Sequence, residues 1–151
     1  MAPRPADLHE QDFYAWTQRQ ARELGRFAAS RPNLPLDLAH LAEEIRDLGK
    51  ERRGTLRGRT TRVIEHLLRL EHSVAREPRR GWTSEIVDSR RDIEERLTKT
   101  LRRDLARQLP RLYGQVRRGF RRKLAAFGEP ETAEALPAGC PYTLDQVLGD
   151  W

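Results

Sequence analysis

The sequence predicts an all-α protein: a single-domain bundle of about five helices plus a short C-terminal helix, with no sheet. Leucine outnumbers valine and isoleucine together by 20 to nine, and unbranched side chains lose less rotamer freedom in helices than β-branched ones. Apolar residues also recur at spacings of three and four along most of the chain, as they do in amphipathic helices. A chain of 151 residues is long enough to build one domain with its own core.

The N-terminal third is predicted to contain an arm and a first helix. Residues 1–11 carry two early prolines and no periodic pattern, so we expect a flexible arm. Asp12 is suited to cap the helix that follows, because its carboxylate can accept the free N–H groups of the opening turn. One side of this helix is marked by Phe13, Trp16, Gln20 and Leu24, which recur at spacings of three and four. Residues 25–35 contain Pro32 and Pro35 and are expected to form a connection.

A second helix is predicted to start near Asp37, but the sequence does not define the residue at which it ends. Its apolar stripe consists of Leu38, Leu41, Ala42, Ile45 and Leu48. Gly49, Gly54 and Gly58 each cost roughly 1 kcal/mol relative to alanine inside a helix, so a break at any of the three fits the pattern. Gly54 and Gly58 also have a four-residue spacing that permits close helix approach. The helical pattern then resumes and stops before Pro78.

The rest of the chain predicts two long helices and a short one. The fourth helix has an apolar face of Trp82, Ile86, Ile93 and Leu97. The fifth carries Leu101, Leu105, Leu109, Leu112, Val116, Phe120 and Leu124. Pro110 is expected to kink or break it, because proline lacks an N–H group and clashes with the preceding turn. Residues 128–141 are rich in proline and glycine and are predicted to be extended, and Thr143 then starts a last helix with a capping box.

These elements define an N-terminal arm over residues 1–11, one helical domain over residues 12–148 and a tail over residues 149–151. No apolar run approaches the roughly 20 residues needed to cross a bilayer. Residues 1–11 lack the apolar core of a secretory signal. We therefore expect a cytoplasmic protein without membrane association.

Familiar catalytic motifs are missing from the sequence. Cys140 is the only cysteine, so an intrachain disulfide is excluded, and no Cys-His signature accompanies it. The sequence has no phosphate-binding glycine loop, no paired Cys-x-x-Cys and no Gly-x-Ser-x-Gly. We expect no cofactor, and the sequence gives no positive support for an enzyme.

Several short sequence words occur in an order that indicates a family. They are DFYAWTQRQ at 12–20, LAEEI at 41–45, HLLRL at 66–70, WTSEI at 82–86, Tyr113 and CPYTLDQVL at 140–148. Together they resemble the bacterial and cyanobacterial domain-of-unknown-function family 29 over nearly the whole chain. The resemblance implies an all-helical bundle of unknown activity. The sequence departs from the family pattern at Leu70, where an aromatic residue is usual, at Glu71, where an amide is usual, and at Pro110.

Basic residues concentrate in the middle of the chain. Residues 57–123 contain 20 basic and nine acidic residues, a net charge of +11, whereas residues 124–151 have a net charge of −5. The fifth helix is predicted to present a basic stripe with Asp104 as its only acidic member. The stripe consists of Arg103, Arg107, Arg117, Arg118 and Arg121. It suits contact with nucleic-acid phosphates, but the default interpretation is a solvated face, or one covered by the acidic C-terminal segment.

Carboxylates and histidines supply weaker catalytic candidates. Glu43, Glu44 and His66 could contribute to a metal site of helical-bundle type, but the paired Glu-x-x-His motifs of such sites are missing. Glu43 and Glu44 are expected to face solvent, and His66 to make an ordinary hydrogen bond at a helix interface, with no metal bound. Glu71 lies inside the apolar arc of its helix, so we expect it to be buried and ion-paired with an arginine.

The sequence favours a non-enzymatic interaction or structural module with a protein partner that it does not identify. Two alternatives remain open. One is a protein that associates weakly, and without sequence preference, with nucleic acid through the arginine-rich helix. The other is a metal-dependent enzyme built around Glu43, Glu44 and His66. A homo-oligomer is compatible with each of the three.

Overall fold

The computed structural model describes residues 1–149. Among these residues it contains seven helices and no strands, and 78% of them are helical, which confirms the all-α prediction. The helices are α1 (Pro5–Gln11), α2 (Phe13–Ala29), α3 (Leu38–His72), α4 (Arg79–Arg96), α5 (Lys99–Ala126), α6 (Pro130–Ala135) and α7 (Leu144–Leu148). The described chain groups into two compact units, and α3 and α5 each contribute residues to both.

The first unit comprises residues 1–55 and 98–102, and Asp12 is its central polar residue. Its carboxylate is buried and accepts hydrogen bonds from the backbone amides of Ala15 and Thr100, both at 3.0 Å. Burial alone would raise the pKa of Asp12, but hydrogen bonds from Ala15, Thr100 and Thr98 lower it below its usual value. Asp12 therefore caps α2, as predicted, and also holds the first turn of α5.

Residues 5–11 form the helix α1, so the expectation of a flexible arm over residues 1–11 is wrong for most of its length. Proline is favourable in the first turn of a helix, where its missing N–H group costs nothing, and Pro5 begins α1. Aromatic contacts attach α1 to α2: the His9 ring lies 4.7 Å from the Trp16 ring and 5.4 Å from the Phe13 ring. The Arg52 guanidinium lies over Phe13 at 4.2 Å and adds a contact from α3.

The helix α3 is continuous through all three glycines, so the expected break between residues 49 and 58 does not occur. Gly49 is buried against α2, and a Cβ atom there would collide with the Thr17 hydroxyl and lie 2.6 Å from the Gln18 amide nitrogen. A Cβ atom at Gly54 or Gly58 would meet nothing within 4 Å. Close helix approach therefore requires glycine at position 49, and the predicted pair does not provide it.

The second unit comprises residues 56–97 together with the chain from residue 103 onward. All seven apolar positions predicted for the fifth helix are buried, which confirms the stripe: Leu101 lies in the first unit, and the other six contribute to the core of the second. Pro110 was expected to kink or break this helix; α5 continues through Pro110, which is exposed, so it does not break there. The segment predicted to be extended over 128–141 contains the short helix α6, whose Ala133 is buried. At α7 the capping box of Thr143 and Gln146 is confirmed.

A strong polar contact within the second unit joins α3 to α5. Arg57 donates two hydrogen bonds to Asp104, from Nε at 2.8 Å and from Nη2 at 2.6 Å. The Asp104 side chain is only 8% exposed and that of Arg57 is 25% exposed. Asp104 therefore neutralises a partly buried arginine inside the unit.

Candidate nucleic-acid interface

Five exposed arginines follow one side of α5. They are Arg103, Arg107, Arg111, Arg118 and Arg122, which we call the α5 basic face. Successive members are four, four, seven and four residues apart, and these spacings return to one side of a helix. At 1.5 Å per residue, the face extends about 28 Å along α5. Among the described residues none of the five takes part in an ion pair, so their charge is available to an external anion.

The face lacks two arginines of the predicted stripe and includes two that the stripe did not. Arg117 is half-buried and its Nε atom is buried without a hydrogen-bond partner, so it does not belong to the exposed face. Arg121 forms an ion pair with Glu134 at 2.8 Å. Asp104 is buried against Arg57, so it does not offset the exposed charge. The spacing of residues along a helix does not show which arginines are exposed and which are engaged by neighbouring helices. The sequence analysis also omitted Arg111 and Arg122, although both have the spacing of the exposed face.

A shallow groove lies at the C-terminal end of the face, between α5 and α6. Its volume is about 350 Å³ and its lining consists of Arg118, Arg121, Arg122, Ala125, Pro130, Ala133 and Glu134. Three guanidinium groups face one carboxylate, so the groove has an excess of positive charge. Guanidinium groups bind phosphate oxygens through paired, planar hydrogen bonds. The groove is therefore a suitable place for one phosphate group.

No aromatic side chain of α5 is available for base stacking. Tyr113 is 1% exposed and Phe120 is 4% exposed. The Tyr113 hydroxyl donates a hydrogen bond to the Pro137 carbonyl at 2.5 Å, so it anchors the segment that follows α6. Contacts from this face would therefore be made to phosphates, which position a protein on nucleic acid without reading its sequence.

Glu43 and Glu44 are exposed on α3 in the first unit, and His66 lies in the second. Within residues 1–149, no three histidine, cysteine, aspartate or glutamate side chains are grouped so that they could hold a metal ion. The nearby His40 contacts Asp37 at 2.5 Å. That hydrogen bond, and then the charge of Asp37, raise the pKa of His40.

His66 is half-buried, and its environment differs from the expected hydrogen-bonded interface. Its Nδ1 atom is buried without a hydrogen-bond partner, so the expectation of an ordinary hydrogen bond is wrong at this atom. Burial, followed by the positive charge of Arg69, lowers the pKa of His66. The neighbouring Glu65 is occupied by Arg69 at 2.7 Å and by Lys123 at 2.8 Å. The structure therefore favours a neutral imidazole at this position.

Glu71 is 52% exposed, so the prediction of a buried carboxylate paired with arginine is wrong. Glu71 is the second-last residue of α3, at the C-terminal end of the helix. Among residues 1–149 its ionic neighbour is His72, with Glu71 Oε2 and His72 Nε2 3.8 Å apart. Tyr142 is also nearby: burial and then the charge of Glu71 raise the pKa of Tyr142. The Tyr142 hydroxyl is buried, and its position does not give a well-formed hydrogen bond to any described group.

The fold and this surface define a class: an all-helical protein with an arginine-rich face on α5. None of the helices among the described residues is long and apolar enough to span a membrane. The family described as Domain of unknown function DUF29 matches residues 8–151, and the chain belongs to this family. This confirms the resemblance seen in the sequence.

Comparison with solved structures supports the same fold. The chain is similar to an α-helical protein of unknown function from Rhodospirillum rubrum, whose crystal structure it matches with a TM-score of 0.80 and 23% sequence identity. The match covers 93% of this chain and 88% of that one. No curated protein matches the sequence.

Proposed function

We propose that this chain is a non-enzymatic interaction module that binds the phosphate backbone of double-stranded nucleic acid weakly and without sequence preference. The observation that carries the proposal is the α5 basic face, with its five exposed arginines and no ion pair among the described residues. A duplex presents phosphates along a similar length, and neutralising them releases condensed counterions. The groove between α5 and α6 adds a position at which one phosphate is held by several guanidinium groups.

The proposal assigns the face to duplexes because single strands are usually held by aromatic stacking as well as by charge. Tyr113 and Phe120 are buried and cannot supply it, and Phe127, although 79% exposed, follows the end of α5, nine residues after Arg118, and so on the opposite side of the helix. Without base contacts, specificity is expected to be low, and dissociation constants are expected in the range of about 10⁻⁴ to 10⁻⁶ M at physiological salt.

Fluorescence anisotropy with two 20-base-pair duplexes of unrelated sequence tests the proposal. If five phosphates are contacted, the logarithm of the affinity should fall with the logarithm of salt concentration with a slope of about −4 to −5. Replacing Arg107 or Arg118 with glutamine should reduce the magnitude of that slope by about one and weaken both duplexes equally. Arg22→Gln is the matched control, because Arg22 is an exposed arginine of α2 outside the face.

Three results would contradict the proposal. Absence of binding at low salt would show that the face is merely solvated. A strong preference for one duplex would require base contacts that the face does not provide. Equal losses from Arg107→Gln and Arg22→Gln would show that net charge, rather than the α5 basic face, determines binding.

A further inference from the structure

A second exposed surface lies within the first unit, on the first half of α3 and on the residue that precedes the helix. It combines two leucines with three carboxylates: Leu41, Leu48, Asp37, Glu44 and Glu51, which we call the α3 acidic face. Along the chain, acidic and apolar positions alternate at spacings of four and three, so each type repeats every seven residues. A seven-residue repeat keeps both types on one side of a helix over about 21 Å.

The leucines of this face belong to the apolar stripe predicted for the second helix, but they are not buried. Leu41 is 42% exposed and Leu48 is 51% exposed, whereas Leu38 and Ala42 are 7% and 4% exposed. The apolar stripe of α3 is therefore wider than the surface that packs against its own unit. Leu34 and Leu36, which precede the helix, are also exposed, at 44% and 57%.

All three charged residues of the face are acidic. Glu44 and Glu51 have no ionic partner among the described residues, and Asp37 contacts only the exposed His40. The nearby Lys50 pairs with Asp47 at 3.3 Å. An acidic edge beside a row of leucines is complementary to a helix that carries leucines beside lysines or arginines.

We propose that the α3 acidic face docks a basic amphipathic helix of a partner protein. A second copy of this chain is a poorer occupant, because a two-fold interface places the same patch on both subunits. Such an interface would bring Glu44 and Glu51 of one copy close to the carboxylates of the other. The partner helix requires an apolar residue every seven positions and a basic residue three or four positions from each. This inference does not depend on the proposed binding of nucleic acid.

The test uses a labelled synthetic helix of 21 residues with leucines at seven-residue spacing flanked by lysines, and a matched peptide in which glutamate replaces lysine. The full-length chain should bind the lysine peptide and not the glutamate peptide in fluorescence anisotropy. Glu44→Lys should weaken the lysine peptide about fivefold. Glu43→Lys is the control, because Glu43 is the adjacent exposed residue with the same charge change and lies away from the leucines.

Two further variants separate docking from folding. Leu48→Ser should weaken the lysine peptide about tenfold and leave the helical circular dichroism unchanged, because the side chain is already half exposed. The double variant Glu44→Lys with Glu51→Lys should acquire affinity for the glutamate peptide, a gain that unfolding cannot produce.

The proposal is overturned if neither peptide binds, if Glu43→Lys and Glu44→Lys have equal effects, or if the charge-reversed double variant gains nothing. It is also overturned if the chain alone forms a dimer that Leu48→Ser abolishes, since a second copy would then occupy the face. Light scattering over a range of concentrations measures that outcome.

Discussion

Replacing Asp104 with asparagine should destabilise the protein strongly, although the two side chains have almost the same size. The substitution removes the negative charge that faces Arg57 and leaves that guanidinium, 25% exposed, in a largely protein environment. Removing one partner of a fully buried pair costs about 3–5 kcal/mol. Because Arg57 retains some contact with water and asparagine keeps one acceptor oxygen, we expect a loss of about 2–3 kcal/mol. For a protein of this size, the loss corresponds to a fall in Tm of about 4–12 °C.

Thermal and urea unfolding followed by circular dichroism measure this loss. The matched control is Glu134→Gln, which removes an equally short pair whose side chains are 37% and 77% exposed and should cost at most about 1 kcal/mol. A double-mutant cycle with Arg57→Gln should give a coupling energy of at least about 1 kcal/mol. Equal losses at Asp104 and Glu134, or additive losses in the cycle, would refute the argument from burial.

Two further predictions concern packing and pH. Gly49→Ala should destabilise the protein by about 1–3 kcal/mol, because the added methyl group collides with Thr17. Gly54→Ala should be neutral or stabilising by up to about 1 kcal/mol. Equal effects of the two substitutions on the free energy of unfolding in urea would contradict this prediction. The lowered pKa of His66 means that the folded state holds fewer protons than the unfolded state once the pH falls below about 6.5. The wild type should therefore lose more stability than His66→Gln between pH 7.5 and 5.5, and parallel stability curves would show that His66 is not perturbed.

Periodicity predicted the helices well where one face of the helix meets one core. In α5 every apolar position assigned from the sequence is buried, since a 3.6-residue repeat specifies a side. Local propensity was less informative at Gly54, Gly58 and Pro110, where tertiary packing keeps α3 and α5 continuous. An unfavourable residue shows where a helix is weakened, but the contacts elsewhere along that helix decide whether it ends.

The surfaces were harder to predict than the helices, because exposure depends on neighbours that are distant in sequence. Arg121 and Asp104 carry charges that the sequence assigned to one stripe, but Glu134 and Arg57 engage them. Leu41 and Leu48 have the spacing of core residues, and nothing in their local sequence indicates that their unit leaves them exposed. An apolar stripe that is wider than one packing interface indicates that some of its residues are exposed. That excess width can be recognised only once the structure shows which residues of the stripe are buried.

The two proposed surfaces have opposite charge, and each is built from the residues of one unit: the α3 acidic face in the first and the α5 basic face in the second. Glu44→Lys raises the net charge of the whole chain by two, so long-range attraction alone would strengthen duplex binding and weaken the lysine peptide together. If the charges at each face determine binding instead, Glu44→Lys should change the affinity for the lysine peptide and leave the slope of duplex affinity against salt unaltered. Arg107→Gln should do the reverse. A variant at one face that altered the salt slope and the peptide affinity together would show that net charge dominates, and would remove the basis for assigning two separate partners.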